Sequence, residues 1–198
     1  MSGRQSAEKR KIQIVAAVLR LADEIGPDRL TTTDVACAIG LSQPAIFRHF
    51  PTKNELWLAV ADAIAEQLKG AWTAAETLTT GSSDRLKALI EAQLSAIANT
   101  PALPSILFSR ELQVENPDLR NVFSELLGAY QRRLVSAIRD QQAAGDLRDD
   151  AESPEDIAIL LTSLVQGVAI RWTLGARGFS LVDEGLRLFD IQMGLLCR

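Results

Sequence analysis

The chain has 198 residues, of which 47% are hydrophobic and 23% charged, and a net charge of −4. That size and apolar content suit one substantial domain or two small ones around a sizeable core, and exclude general disorder. The basic start, MSGRQSAEKRKIQ, is followed by no apolar stretch of the secretory kind. The longest charge-free apolar run, Ile157–Ile170, is shorter than the about 20 residues that cross a bilayer, so a cytoplasmic protein with no membrane partner is expected.

Two cysteines, Cys37 and Cys197, lie far apart and read as a small core residue and a terminal one rather than as a disulfide. The charge is unevenly spread. Residues 1–53 hold eight Lys/Arg against five Asp/Glu, net +3, which leaves −7 on the remainder. A cationic head on an anionic body points the head toward a polyanion.

Apolar residues recur at helical spacing and no segment alternates, so the fold class is all-α. In chain order the pattern predicts helices over 7–25, 32–39, 43–49, 53–76, 84–99, 102–113, 117–144, 154–175 and 181–196. The first carries the stripe Ile12, Val15, Ala16 and Leu19. The fifth carries Leu86, Leu89, Ile90, Leu94 and Ile97, and the seventh Leu119, Val122, Phe123, Leu126, Tyr130 and Leu134. Hydroxyl-to-carboxylate spacings of three mark four starts: Thr31 with Asp34, Thr52 with Glu55, Ser153 with Asp156 and Ser180 with Asp183. Pro117 and Pro154 suit first helical positions, and Gly26, Gly40, Gly145 and Gly178 suit stops. The clearest loop is TLTTGSSD, residues 77–84.

The second and third helices are short and joined by Gly40-Leu41-Ser42, the pattern of a helix-turn-helix with 43–49 as its recognition helix. Gly40 permits the sharp turn, Ser42 can cap, and Pro44 sits where an N–H has no intrahelical partner. Val35, Ala36, Ile39, Leu41, Ile46 and Phe50 would face inward. Gln43, Pro44, Ala45, Phe47 and Arg48 would project outward. Gln can bond an adenine edge twice and Arg a guanine edge twice, while Pro, Ala and Phe suit thymine methyls. Thr31, Thr32, Thr33, His49 and Lys53 suit phosphates, and Arg4, Lys9, Arg10 and Lys11 could follow the backbone as an arm or helix start.

The stretch LTTTDVACAIGLSQPAIFRHFPTKNEL, residues 30–56, resembles the TetR family of bacterial regulators: Thr, Val-Ala, Gly, a small polar cap, an aromatic, His-Phe, and Lys before Leu. The resemblance implies an N-terminal three-helix helix-turn-helix domain, 1–53, and a C-terminal six-helix ligand-binding and dimerisation domain, 54–198. It implies DNA contacts at Thr32, Thr33, Gln43, Pro44, Ala45, Phe47, Arg48, His49 and Lys53. Where the family usually has Tyr this chain has Phe47, which lacks the phosphate-binding hydroxyl and keeps only an apolar contact.

The run 157–170 is apolar on nearly every side and must be covered on every side. Helices 154–175 and 181–196 are therefore expected to pair with a second copy as a four-helix packing, with Gly167 and Gly175 allowing close approach. Helices 84–144 would enclose a cavity, as in family members, for a small-molecule effector of unknown identity, with Trp72, Phe108, Phe123, Tyr130, Gln166 and Trp172 as candidate walls. The expected function is a sequence-specific transcriptional regulator, a dimeric repressor released from a near-palindromic operator on double-stranded DNA by that effector. One histidine, no catalytic cysteine spacing and no nucleophile elbow or phosphate loop argue against an enzyme, a metal or a cofactor.

Overall fold

The computed structural model describes residues 2–79, 81–148 and 152–196. Ten α-helices and no strand occur among them: α1 Ser2–Ile25, α2 Thr32–Ala38, α3 Gln43–Phe47, α4 Lys53–Leu78, α5 Ser82–Asn99, α6 Leu103–Phe108, α7 Arg110–Glu115, α8 Pro117–Ala144, α9 Pro154–Leu174 and α10 Leu181–Gly194. The expected starts are built from the expected groups. Thr31 and Asp34 close a reciprocal capping box on α2, and the hydroxyls of Ser153 and Ser180 accept from the N–H groups of Asp156 and Asp183. Thr52 does the same for Glu55 at the start of α4.

Four local differences have physical causes. The stretch 102–113 forms two helices because Ser109 takes an extended backbone, φ −66° and ψ 106°, and its hydroxyl accepts from Leu112 N–H at 3.0 Å, starting α7. The loop at 77–84 is shorter than its composition suggests, since α4 runs to Leu78 and α5 begins at Ser82. The buried face of α1 is Ile14, Ala17, Val18, Leu21 and Ala22, while Ile12 is 64% exposed, so the stripe is displaced from Ile12, Val15, Ala16 and Leu19. Cys37 is exposed rather than a core residue; Cys197 lies outside the described residues.

Two compact units emerge, one from 1–66 with 100–124, the other from 67–99 with 125–198. The first contains the residues 1–53 that carry the helix-turn-helix pattern, together with α6 and α7. There α2 packs on α1 and on α3, and α6 packs on α1. A second link joins the same parts, because Ser109 Oγ donates to the Asp28 carboxylate in the turn after α1.

In the second unit α10 packs on α5 and α9, and α5 on α9. The approach of α10 to α5 is so close that a Cβ on Gly185 would stand 2.5 Å from Leu94 Cδ1, and Leu94 is itself fully buried. Gly167 and Gly175 do not serve such an approach within the chain; nothing lies within 4 Å of a Cβ built on Gly167, and Gly175 is the C-cap of α9. With its first and last turns, α9 reaches 21 residues and contains an 18-residue stretch of mean hydropathy 1.6, long and apolar enough by composition to cross a membrane, and 44% of that stretch is buried within the fold.

Candidate nucleic-acid interface

The turn between α2 and α3 rests on Gly40 at φ +66°, a conformation that costs a side-chain-bearing residue energy. Gly40 N–H donates to Cys37 O at 3.2 Å and Leu41 N–H to Ala36 O at 2.9 Å, which reverses the chain within four residues. Ser42 stands at the N-cap of α3 but its side chain makes no capping bond, so the expectation that it caps is not met. The helix is held instead by Pro44 in its first turn and by burial of Ala45, Ile46 and Phe50. Each of Ile46 and Phe50 contributes about 1.5–3 kcal/mol by leaving water. Val35 and Ala36 are buried as expected, and Ile39 and Leu41 half-buried.

α3 ends at Phe47, two residues earlier than its pattern suggests. His49 and Phe50 N–H both donate to Ile46 O at 2.9 Å, which tightens the last turn and leaves Arg48 at the C-cap. Thr33, Gln43, Pro44, Phe47, Arg48 and Lys53 are exposed, and His49 is half-buried. Lys11 Nζ stands 5.8 Å from the centre of the Phe50 ring, which brings one of the basic residues of α1 to the same unit as these groups. Arg4 falls within α1, so this segment is a helix start and not an arm; its side chain lies outside those described.

Two residues expected to project are inside. Ala45 is 6% exposed and Thr32 8% exposed. Thr32 has a different role: its hydroxyl accepts from Gln43 Nε2 at 2.9 Å. That bond uses one amide N–H of an otherwise exposed side chain, and a bidentate adenine contact needs one N–H and the carbonyl oxygen. Sequence spacing alone did not show this bond, because eleven residues and a turn separate the two groups. The Asp34 carboxyl is held below its ordinary range by hydrogen bonds from the Thr31 hydroxyl and backbone, fixing the start of α2.

The candidate effector residues are scattered. Phe108 and Phe123 belong to the first unit, the former 49% exposed and the latter buried. In the second, Trp72 and Tyr130 are both buried and stack at 5.1 Å between centroids. Trp72 Nε1 donates to Gln93 Oε1 at 2.8 Å, Arg133 lies over the indole at 5.9 Å, and burial pushes the Tyr130 phenol up, so it stays neutral. Gln93 and Arg133 are polar neighbours that periodicity could not assign. Trp172 is buried on α9 with its indole N–H on Phe179 O, and Gln166 is half-buried.

A short recognition helix, pinned by its apolar side with Gln, Phe and Arg left out, is a geometry for reading base edges. Residues 14–60 match the model for bacterial regulatory proteins of the tetR family, and residues 82–188 the model for the C-terminal part of BetI-type transcriptional repressors. The chain belongs to the TetR family.

Its relatives include the nucleoid occlusion factor SlmA of Vibrio atlanticus, 26% identical over 165 residues that span 83% of this chain and 82% of that one. A Saccharomonospora viridis protein solved in complex with choline superposes with a TM-score of 0.85 at 22% identity, over 96% of this chain and 99% of that one. The regulator FadR of Bacillus subtilis, solved with stearoyl-CoA, gives 0.74 at 16% identity, over 91% and 96%. As a TetR-family protein the chain is a DNA-binding transcriptional regulator and not an enzyme. At 38% exposure Phe47 is the aromatic of α3 left in solvent, and it carries no hydroxyl for a phosphate.

Proposed function

We propose that two copies pair through 154–175 and 181–196, present their α3 helices to a near-palindromic operator in double-stranded DNA, and repress transcription until a small molecule releases them. The observation that carries the reading is the outward face of α3, where Gln43 is aimed by Thr32 and Arg48 is exposed at the C-cap. Thr33, His49 and Lys53 then meet phosphates, with Pro44 and Phe47 on thymine methyls. The functional division falls at 1–53 and 54–198.

The pairing reading is supported by what α9 and α10 leave in solvent. Leu160, Ile170 and Leu174 on α9, and Ile191 and Leu195 on α10, are 39–83% exposed. In a TetR-family regulator a patch of this kind suits another copy better than lipid, and a cytoplasmic location belongs to the same reading. Effector binding is assigned to the second unit, around Trp72, Tyr130, Gln166 and Trp172. Arg133 covers one face of Trp72 and is paired with Glu76, so choline would have to displace that guanidinium and an anionic acyl thioester would have to compete with that carboxylate.

Selection of bound sequences from a random DNA pool tests the reading. Two half-sites about 34–36 Å apart, or one turn more, are expected. Gln43→Ala and Arg48→Ala should each relax one position of the selected site by about 1–3 kcal/mol. A selected pool indistinguishable from the input, or one unchanged by both substitutions, would remove the proposal. Release of that site by choline or by a long-chain acyl-CoA, compared in one titration, tests the effector class.

A further inference from the structure

Arg4, Lys9, Arg10 and Lys11 open the chain, and their spacing alone does not decide which of them meets DNA. We propose that Lys11 does: it binds a backbone phosphate beside the end of α3, with the Phe50 ring as the platform that holds it there. The inference rests on the reading of DNA through α3 proposed above and adds a contact from α1 to it.

Helix geometry separates the three cations whose side chains are described. Each residue turns about 100° around an α-helix, so Lys9, Arg10 and Lys11 leave α1 in three directions. Lys11 stands three residues before Ile14 and seven before Val18, on the buried face of α1 where that face runs out of the core. Lys9 leaves from roughly the opposite side. Arg10 turns along its own helix, its guanidinium donating to Gln13 Oε1 at 2.7 Å. The Lys11 ammonium reaches across instead and stands 5.8 Å from the centre of the Phe50 ring.

Phe50 carries this contact to the reading helix. Its N–H donates to Ile46 O at 2.9 Å and its side chain is buried, so the ring is fixed to the last turn of α3. α2 packs on both α1 and α3 and holds the two in one body. Lys11 makes no ion pair among the described residues, although Glu8 stands one turn before it on α1. The ring takes one side of an ammonium that has three N–H donors, and the side chain stays exposed, which leaves donors for an anion. A lysine loses rotamer freedom when it binds a phosphate, and one already drawn onto an aromatic face has lost part of it beforehand. His49 precedes Phe50 and Lys53 follows it by three, so Lys11 extends the same cationic edge.

If Lys11 only laid its stem over Phe50, its charge would be dispensable. Lys11→Met keeps a stem on the ring and removes the charge. The test measures binding of the full chain to a duplex of random sequence over a salt series, where backbone contacts dominate. Lys11→Met should lower the slope of log affinity against log salt by about 0.9 per bound chain, with helical circular dichroism unchanged. Lys11→Arg, which keeps charge and ring contact, should retain the parental slope, and so should Lys9→Met. An equal drop with Lys9→Met would mark a response to net charge and overturn the assignment. Phe50→Leu should weaken binding, and Lys11→Met should cost less in that background than in the parent; full additivity overturns the platform. A parental slope in Lys11→Met overturns the contact while reading through α3 stands. Failure of the parent to bind duplex at low salt overturns both.

Discussion

Thr32 and Gln43 show how a residue's type and its role can separate. A threonine at the start of a helix reads as a phosphate contact, yet Thr32 is buried and accepts the Gln43 amide. Such a bond is worth about 1 kcal/mol net, and its larger effect is to fix the direction of the amide. Thr32→Val should therefore lower affinity for the selected operator by about 5-fold, chiefly through loss of preference at the Gln43 position, and Thr32→Ser should keep most of it. A binding assay on matched and mismatched half-sites separates this from a general loss. Titration supplies a second prediction at this scale. Asp34 is lowered by its bonds to Thr31, and Glu184 by its hydrogen bond and charge pairing with Arg187. A depressed carboxylate contributes stability that is present above its unfolded pKa and lost as pH falls through the folded one. Thermal melts should thus be flat near neutrality and fall in acid, and Asp34→Asn and Glu184→Gln should flatten that fall.

Helices are where periodicity succeeded and packing corrected it. The stripes on α5 and α8 are buried almost residue for residue. On α1 the buried face holds two alanines, which periodicity weighs lightly, and the isoleucine at 12 misled by being apolar in solvent. The break at Ser109 was hidden because an extended residue inside an apolar stretch leaves no pattern of its own. Ser109→Ala removes both the cap of α7 and the donor to Asp28, and should cost about 1–2 kcal/mol in chemical denaturation. Gly185 was not singled out by sequence at all, since close helix approach leaves no local trace. Gly185→Ala places a methyl against buried Leu94 and should destabilise by about 1–3 kcal/mol despite its better helix propensity. A variant as stable as the parent would show that α10 can move off α5 without loss.

For the whole molecule, charge distribution decides how the chain meets DNA. A head of +3 on a body of −7 favours approach by one end. Binding should weaken steeply with salt, and Lys53→Ala should reduce the slope by about one counterion per half-site while leaving the selected sequence unchanged. An unchanged slope would remove Lys53 from the phosphate contacts.

Helix type, most helix starts and the reading end of the chain follow from local chemistry: side-chain period, hydroxyl caps and a glycine in a left-handed turn act within a few residues, so the sequence alone determined them. The Thr32–Gln43 bond, the α6 contact with α1, the fit of Gly185 on Leu94 and the outward position of Leu174 depend on residues far apart in the chain. Their distances exist only after the helices have packed, and for that reason tertiary structure decided them.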